Sequence, residues 1–504
     1  MSKTPFIPFP GWSPDRVDNF SGGSTEALNV IPTVDGFRPL KSFTRFSATA
    51  LGARCRGFIA AKDNNNDAHF YAGDKTKLYK LINVSFTDAS SSVSGTYDLG
   101  TAGVWEFAQF GTRIIATGAP GFVPQQATLG SLTFSTTLIT STDKPSSVKH
   151  IAALRDFLVL GNMSSAAGGL TPSRVWWSGI RDPQDFSPNQ ATQCDYQDFQ
   201  FGGQVQKIYG SVEYALVFQE EVVRRMNYVG APAVFDIQVV DRRRGTLIPN
   251  SVIGWGRFVF WIAPEGFMMT DGTESVPIGE NLVDDAFYAA FDAQYAHLVH
   301  SAVDPVLKNV FWSFPGAGNT GENNELFVYH WPDKRWSHSN VGLLCIGGVA
   351  RGGYTLDALD NVSTDMDNDT LLGPSLDSDK WKGKIGGFGG FDSSNYLGKF
   401  DGPPMSAILE TGEMELVGGK RSQVSAVRPH IQSGSKSAVD ISIGHRKTAI
   451  DTITYTPSTQ MNVDGICQQR VEDRYHRVRV SLSSSVTWSL VTGVTIEFEG
   501  SGDR

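Results

Sequence analysis

Apolar residues along this chain come in short runs, and nearly every run is closed by a turn signal. In "RFVFWIAPEGFMMTDGTESVPIG" (257–279) two such runs flank Pro264-Glu265-Gly266, and a third follows Asp271-Gly272. That pattern predicts strand, tight turn, strand, tight turn, strand. The same design recurs in "HFYAGDKTKLYKL" (69–81), "WEFAQFGTRIIATG" (105–118), "HIAALRDFLVLGN" (150–162) and "KIYGSVEYALVFQEEVVRRMNYV" (207–229). It returns in "SAVDPVLKNVFWSFP" (301–315), "LFVYHWPDKRWSHSN" (326–340) and "GGFDSSNYLGKFDG" (389–402). The units repeat roughly every 45 to 55 residues, a spacing suited to propeller blades. A small antiparallel meander cannot bury both faces alone, so neighbours must stack around an axis. The expectation is an all-β chain: a β-propeller of six or seven blades over 51–403, followed by a β-sandwich. Residues 1–50 read as an extended segment packing on the propeller or on a neighbour.

Helical periodicity is scarce. "NLVDDAFYAAFDAQYAHLV" (281–299) places Leu282, Val283, Phe287, Phe291 and Tyr295 close to one stripe, with Asn281 and Asp284 as start signals, and predicts one inserted helix. Residues 357–380, "DALDNVSTDMDNDTLLGPSLDSDK", are acidic and aperiodic and read as a long excursion loop. After "FDGPP" the alternation sharpens. Val478, Val480 and Leu482 share one face against Arg477 and Arg479, and Val494, Ile496 and Phe498 oppose Thr495, Glu497 and Glu499. Residues 404–504 are therefore expected to form a separate sandwich.

Composition narrows the function classes. A formal net charge of -9 over 504 residues argues against a general phosphate-binding surface, though not against a local basic patch. Basic and acidic residues balance after Pro403, so the excess negative charge lies before it. Cys55, Cys194, Cys345 and Cys467 are widely spaced, which suggests neither a zinc site nor a disulfide framework. The N-terminal residues lack the apolar stretch of a signal peptide, and no apolar run is long enough to span a membrane. A soluble protein without membrane insertion is expected.

Candidate chemistry is sparse. A propeller glycosidase needs two carboxylates at a set separation. Asp241, Glu265, Asp271, Asp284 and Asp285 are acidic, but Glu265 and Asp271 occupy turns, where polar residues serve the backbone. Neither the sialidase Asp-box nor a Gly-x-Ser-x-Gly elbow is present. His297 and His300 have no adjacent Cys or Glu to complete a metal set. "DMDND" (365–369) opens like a calcium loop, but Thr370 and Leu376 stand where Gly and Glu are required. Alternation sends one of Trp176 and Trp177 inward and one outward, where it could join a binding face, although core packing is the commoner outcome for such residues. Arg242, Arg243 and Arg244 form the dense basic run, a candidate partner or DNA-channel contact weighed against a solvated turn. No catalytic, cofactor or metal residues are assigned.

Taken in order, "NVIPTVDGFRPL", "RVWWSGIRDPQDFSP", "FWIAPEGFMMTDGTESVPIG", "AVDPVLKNVFWSFP" and "RYHRVRVSLSSSVTWSLVTGVTIEFEGSGDR" resemble segments of the tail nozzle or hub proteins of short-tailed bacteriophages. These are also called tail tubular B or packaged-DNA stabilization proteins. The resemblance spans most of the chain and rests on the order and style of segments. It implies a non-enzymatic virion component without cofactor, assembled in the host cytoplasm and ending in the virion tail. It further implies a homo-oligomer, a hexameric ring below the portal and its adaptor. Such a ring continues the DNA channel, helps to retain packaged DNA, passes it without sequence-specific binding, and bears tail fibres or spikes. A propeller glycan-binding protein or glycosidase, as in a phage depolymerase, is the alternative.

Overall fold

The fold is described from a computed structural model, which covers residues 3–502 less 17–21, 66, 92–96, 119–122, 136–138, 140–144, 166–168, 352–383, 434–438 and 486. The expected acidic loop at 357–380, with "DMDND" inside it, lies outside the described residues.

Seven antiparallel sheets follow one another along the chain. Their innermost strands are Gly57–Lys62, Glu106–Phe110, Pro145–Leu154, Val205–Gly210, Ile253–Trp255, His300–Asp304 and Cys345–Arg351. Ile59, Ala108, Ile151, Ile208, Ile253, Ser301 and Ile346, one from each of these strands, line a single cavity of about 410 Å³. The sheets therefore close into a ring, and the protein is a seven-bladed β-propeller. The turns that mark the blades in sequence sit where the strands reverse. Arg155, for instance, takes a φ of 53° between Leu154 and Phe157, which form the last cross-strand pair of that hairpin.

The core explains the hydrophobic pattern. One apolar cluster fills each interface between neighbouring blades, seven in all. Along Phe157–Ser165, Phe157 and Val159 enter the interface between blades three and four, while Leu158 and Leu160 enter the one between blades two and three. Both faces of a blade are covered, so successive positions are all apolar and simple inside-outside alternation fails. Trp176 and Trp177 show the same thing. Both are buried, on opposite faces of blade three: core packing holds for the two of them, and the outward position that alternation gives to one is not found.

The seventh blade is completed by Lys41–Arg45, which pairs antiparallel with Leu397–Pro404 as the outermost strand. Residues 1–50 thus do more than pack on the propeller. Phe6–Pro8, Val30–Thr33 and Gly36–Pro39 join one sheet of the sandwich, beside Trp488–Gly502, Arg421–Ser433 and Cys467–Asp473. Glu26–Leu28 joins the other, beside Ala407–Glu410, Tyr475–Leu482 and Val439–Arg446.

That second sheet is continuous with blade six, because Leu28 pairs in parallel with His338 on its outermost strand, Arg335–Ser339. The sandwich core, with Val478, Val480, Leu482, Val494, Ile496 and Phe498, merges with Phe260, Phe267, Trp312 and Phe327 of blades five and six. Residues 404–504 are a sandwich, as the alternation predicts, but one that shares its core with the propeller. Arg477 and Arg479 leave that core and reach Glu410 at 3.5 and 2.5 Å.

The helix expected over 281–299 is shorter. It spans Asp284–Ala290, and Phe291 turns extended before a 3-10 turn at Ala293–Leu298. Asp292 accepts the N–H of Gln294 and starts that second element afresh. The first element is capped from afar: Asp15 accepts the N–H groups of Asp285 and Ala286 at 2.8 and 2.9 Å.

Candidate functional site

The seven innermost strands bring to the axis residues that lie far apart in sequence. Glu106 opens the first strand of blade two, next to Trp105. The indole of Trp105 donates to the carbonyl of Asp74 at 2.7 Å and packs where a side chain at Gly73 would collide with it. This wedge fixes the start of the strand and turns Glu106 toward blades three and four. Its Oε1 lies 2.9 Å from His150 Nδ1 and 2.8 Å from Lys207 Nζ, and its Oε2 accepts the N–H of Ile151. Burial alone would raise this carboxyl, but Lys207 and His150 outweigh it and hold the pKa down at about 2. One polar side chain from each of three consecutive blades is thereby locked into a triad on the axial wall.

A second cavity of about 320 Å³ adjoins the first, with His150 and Asn250 on its wall; Asn250 lines both. It opens where the innermost strands begin and is lined further by Lys149, Gln206, His297 and the 102–104 loop. Arg56 braces that loop by donating to the carbonyls of Thr101 and Gly103 at 2.7 and 3.0 Å. Arg54, just before blade one, donates to the Gly321 carbonyl and to Asn323 Oδ1 of blade six. Burial, reinforced by Arg54, Lys207 and Arg56, pushes His300 down to about 3, so its imidazole is neutral. His297 is lowered in the same way, by burial and then by Arg56 and Arg54. His300 Nδ1 lies 3.5 Å from Cys345 Sγ.

The residues singled out in the sequence fall elsewhere. Arg242, Arg243 and Arg244 occupy the loop that leaves the outermost strand of blade four. Asp241 accepts the N–H groups of Arg243 and Arg244, and Arg244 Nε lies 3.0 Å from Glu265. Arg242 and Arg243 are exposed. Asp271 binds its own turn through Thr273. Asp284 is buried beneath Gly266 and Gly279, where any Cβ would strike its carboxylate, and it accepts the N–H of Phe267 at 3.0 Å. None of the five weighed carboxylates lines either axial cavity. His297 and His300 do meet the axis, one in each cavity, although no group of three His, Cys, Asp or Glu among the described residues is arranged to hold a metal ion.

Sequence reasoning missed Glu106, His150 and Lys207. The available signal was a charged residue set between Trp105 and Phe107 in an apolar strand; its partners lie 44 and 101 residues further on.

No family model and no curated protein matches the chain. Among solved structures it is similar to the WD40 domain of Neurospora crassa Pan2, at 10% identity over 61% of this chain and 89% of that one, with a TM-score of 0.39. The β-propeller domain of Myceliophteria thermophila Cps50 (Swd1) is similar at 8% identity over 60% and 92% of the two chains, with a TM-score of 0.35. The extracellular domain of a hybrid two-component system from B. thetaiotaomicron is 11% identical over 82% of this chain, which spans only 47% of that one, at a TM-score of 0.38. No helix among the described residues is long and apolar enough to cross a membrane.

Proposed function

We propose that this chain is a structural subunit of a ring-shaped assembly, of the tail nozzle or hub type found in short-tailed bacteriophages. The resemblance of its segments supports this reading. One structural observation carries it further: propeller and sandwich share a sheet at Leu28 and His338, and share a core, so the chain is one continuous two-lobed block. A ring built from copies of one chain needs two different patches that meet head to tail. Two lobes of unlike construction offer such patches.

In this role six copies continue the DNA channel below the portal and its adaptor, hold packaged DNA until ejection and anchor fibres or spikes. The subunit is assembled in the host cytoplasm, ends in the virion tail and performs no catalysis. Arg242 and Arg243, exposed beside the Arg244–Glu265 pair, are assigned to contact with a neighbouring subunit or with passing DNA. The engagement of Glu265, Asp271 and Asp284 in turns and backbone bonds weighs against the glycosidase alternative. Light scattering of the purified protein, alone and with an adaptor ring, tests the proposal. Sixfold mass in either sample agrees with it. A persistent monomer that ignores the adaptor and retains or cleaves polysaccharide supports the alternative.

A further inference from the structure

Although the chain as a whole is acidic, the axial vestibule gathers cations. Lys149 lines it, Lys207 lines the adjoining cavity, and Arg54 and Arg56 lie near enough to act on His297. The acidic groups facing the same region are Glu106, Asp74 and Glu322. Glu106 is fully engaged by Lys207, His150 and the N–H of Ile151. Asp74 is taken up by the Tyr79 hydroxyl and by the N–H groups of Thr76 and Lys77. Glu322 stands 3.7 Å from Arg54 with about half of its side chain in water, and is a weak counter-ion.

Positive charge is therefore left over on the vestibule side of the triad. Arg54 Nε and Arg56 Nε are buried without a hydrogen-bond partner, and no ion pair engages Lys149 among the described residues. Neither guanidinium lines the cavity, so both contribute positive charge from behind its wall, and Lys149 is the cation that faces the space. Lys149, Gln206, Asn250 and His297 all line the 320 Å³ space, which has room for more than a single water.

We infer that this vestibule is a binding site for a small oxyanion of the phosphate class. Lys149 supplies the facing charge, Gln206 and Asn250 supply amide N–H donors, and His297 gains a proton when the anion enters. Arg54 and Arg56 act from behind as fixed positive charges. Such a site lies on the axis of a single subunit, so it stands whether or not the chain is part of a phage tail.

The test is calorimetric titration of the full chain with inorganic phosphate at constant ionic strength, repeated with a nucleoside monophosphate. The expected result is saturable binding of one phosphate per chain, weakened tenfold or more by Lys149→Ala and by His297→Gln. Nuclear magnetic resonance should show the His297 imidazole titrating at higher pH with phosphate than with chloride. Comparable affinity for the nucleotide would identify a phosphate monoester as the natural occupant. Preference for phosphate alone would identify the free anion. If Lys149→Ala does not fold, Gln206→Ala and the His297 titration in the unaltered chain decide the matter. Absence of saturable binding, or binding unchanged in folded Lys149→Ala and His297→Gln, would overturn the assignment.

Discussion

Phe43 stands opposite Phe400 across the outermost strand pair of the seventh blade, their rings 5.7 Å apart and edge to face. The two residues are separated by most of the chain, so the ring closes only when the N-terminal segment adds its strand to the last blade. The strand approaches closely: a Cβ at Gly398 would lie 2.4 Å from the Thr44 carbonyl oxygen.

Gly398→Val should therefore displace Lys41–Arg45 and cost about 1–3 kcal/mol, the usual penalty of overpacking. Chemical denaturation measures the loss. Hydrogen exchange should show the amides of that strand losing protection before those of blades two to four.

Glu106→Gln removes the one negative member of the axial triad and leaves Lys207 and His150 facing each other. Breaking a buried pair in this way should cost about 3–5 kcal/mol. The sign with pH follows from the lowered carboxyl. The unaltered protein keeps this contribution above the ordinary carboxylate value of 4.5 and loses it as pH falls toward 2. Denaturation curves recorded from neutral pH downward should show a shallower acid limb in the variant.

His300 is neutral in the fold and takes up a proton when unfolded over the range from 6.5 down to about 3. Stability should thus fall as pH drops below 6.5, by up to about 1.4 kcal/mol per pH unit from this one group. His300→Gln should flatten that part of the profile without altering the limb governed by Glu106.

Asp15 caps the helix Asp284–Ala290 by accepting the N–H of Asp285, 270 residues further on. Asp15→Ala should cost about 1 kcal/mol and raise the exchange rates of the Asp285 and Ala286 amides, leaving the sandwich strands unaffected.

How far these relationships can be read from the sequence depends on their range. The blades are legible because each hairpin carries its own turn chemistry, as at Arg155-Asp156 and Pro264-Glu265-Gly266. Their number is not, because the last blade borrows Lys41–Arg45 and blade two shows three strands among the described residues. Trp176 and Trp177 mislead for a physical reason: alternation distinguishes core from solvent only where one face is wet, and both faces of a blade are dry. The helix at 281–299 is overestimated because the stripe through Phe291 and Tyr295 continues past a backbone break. The axial residues are the least legible, since Glu106, His150 and Lys207 each belong to a different blade and acquire meaning only when the ring is closed. The shared sheet through Leu28 and His338 is hidden for the same reason.

The central claim is that this two-lobed block is a ring-forming structural subunit, and its mass in solution tests that most directly. Light scattering of the purified chain with and without an adaptor ring should give, in at least one sample, about six times the 54.8 kDa of the single chain. A mass that stays at one chain in both samples, with no adaptor bound, would contradict the account.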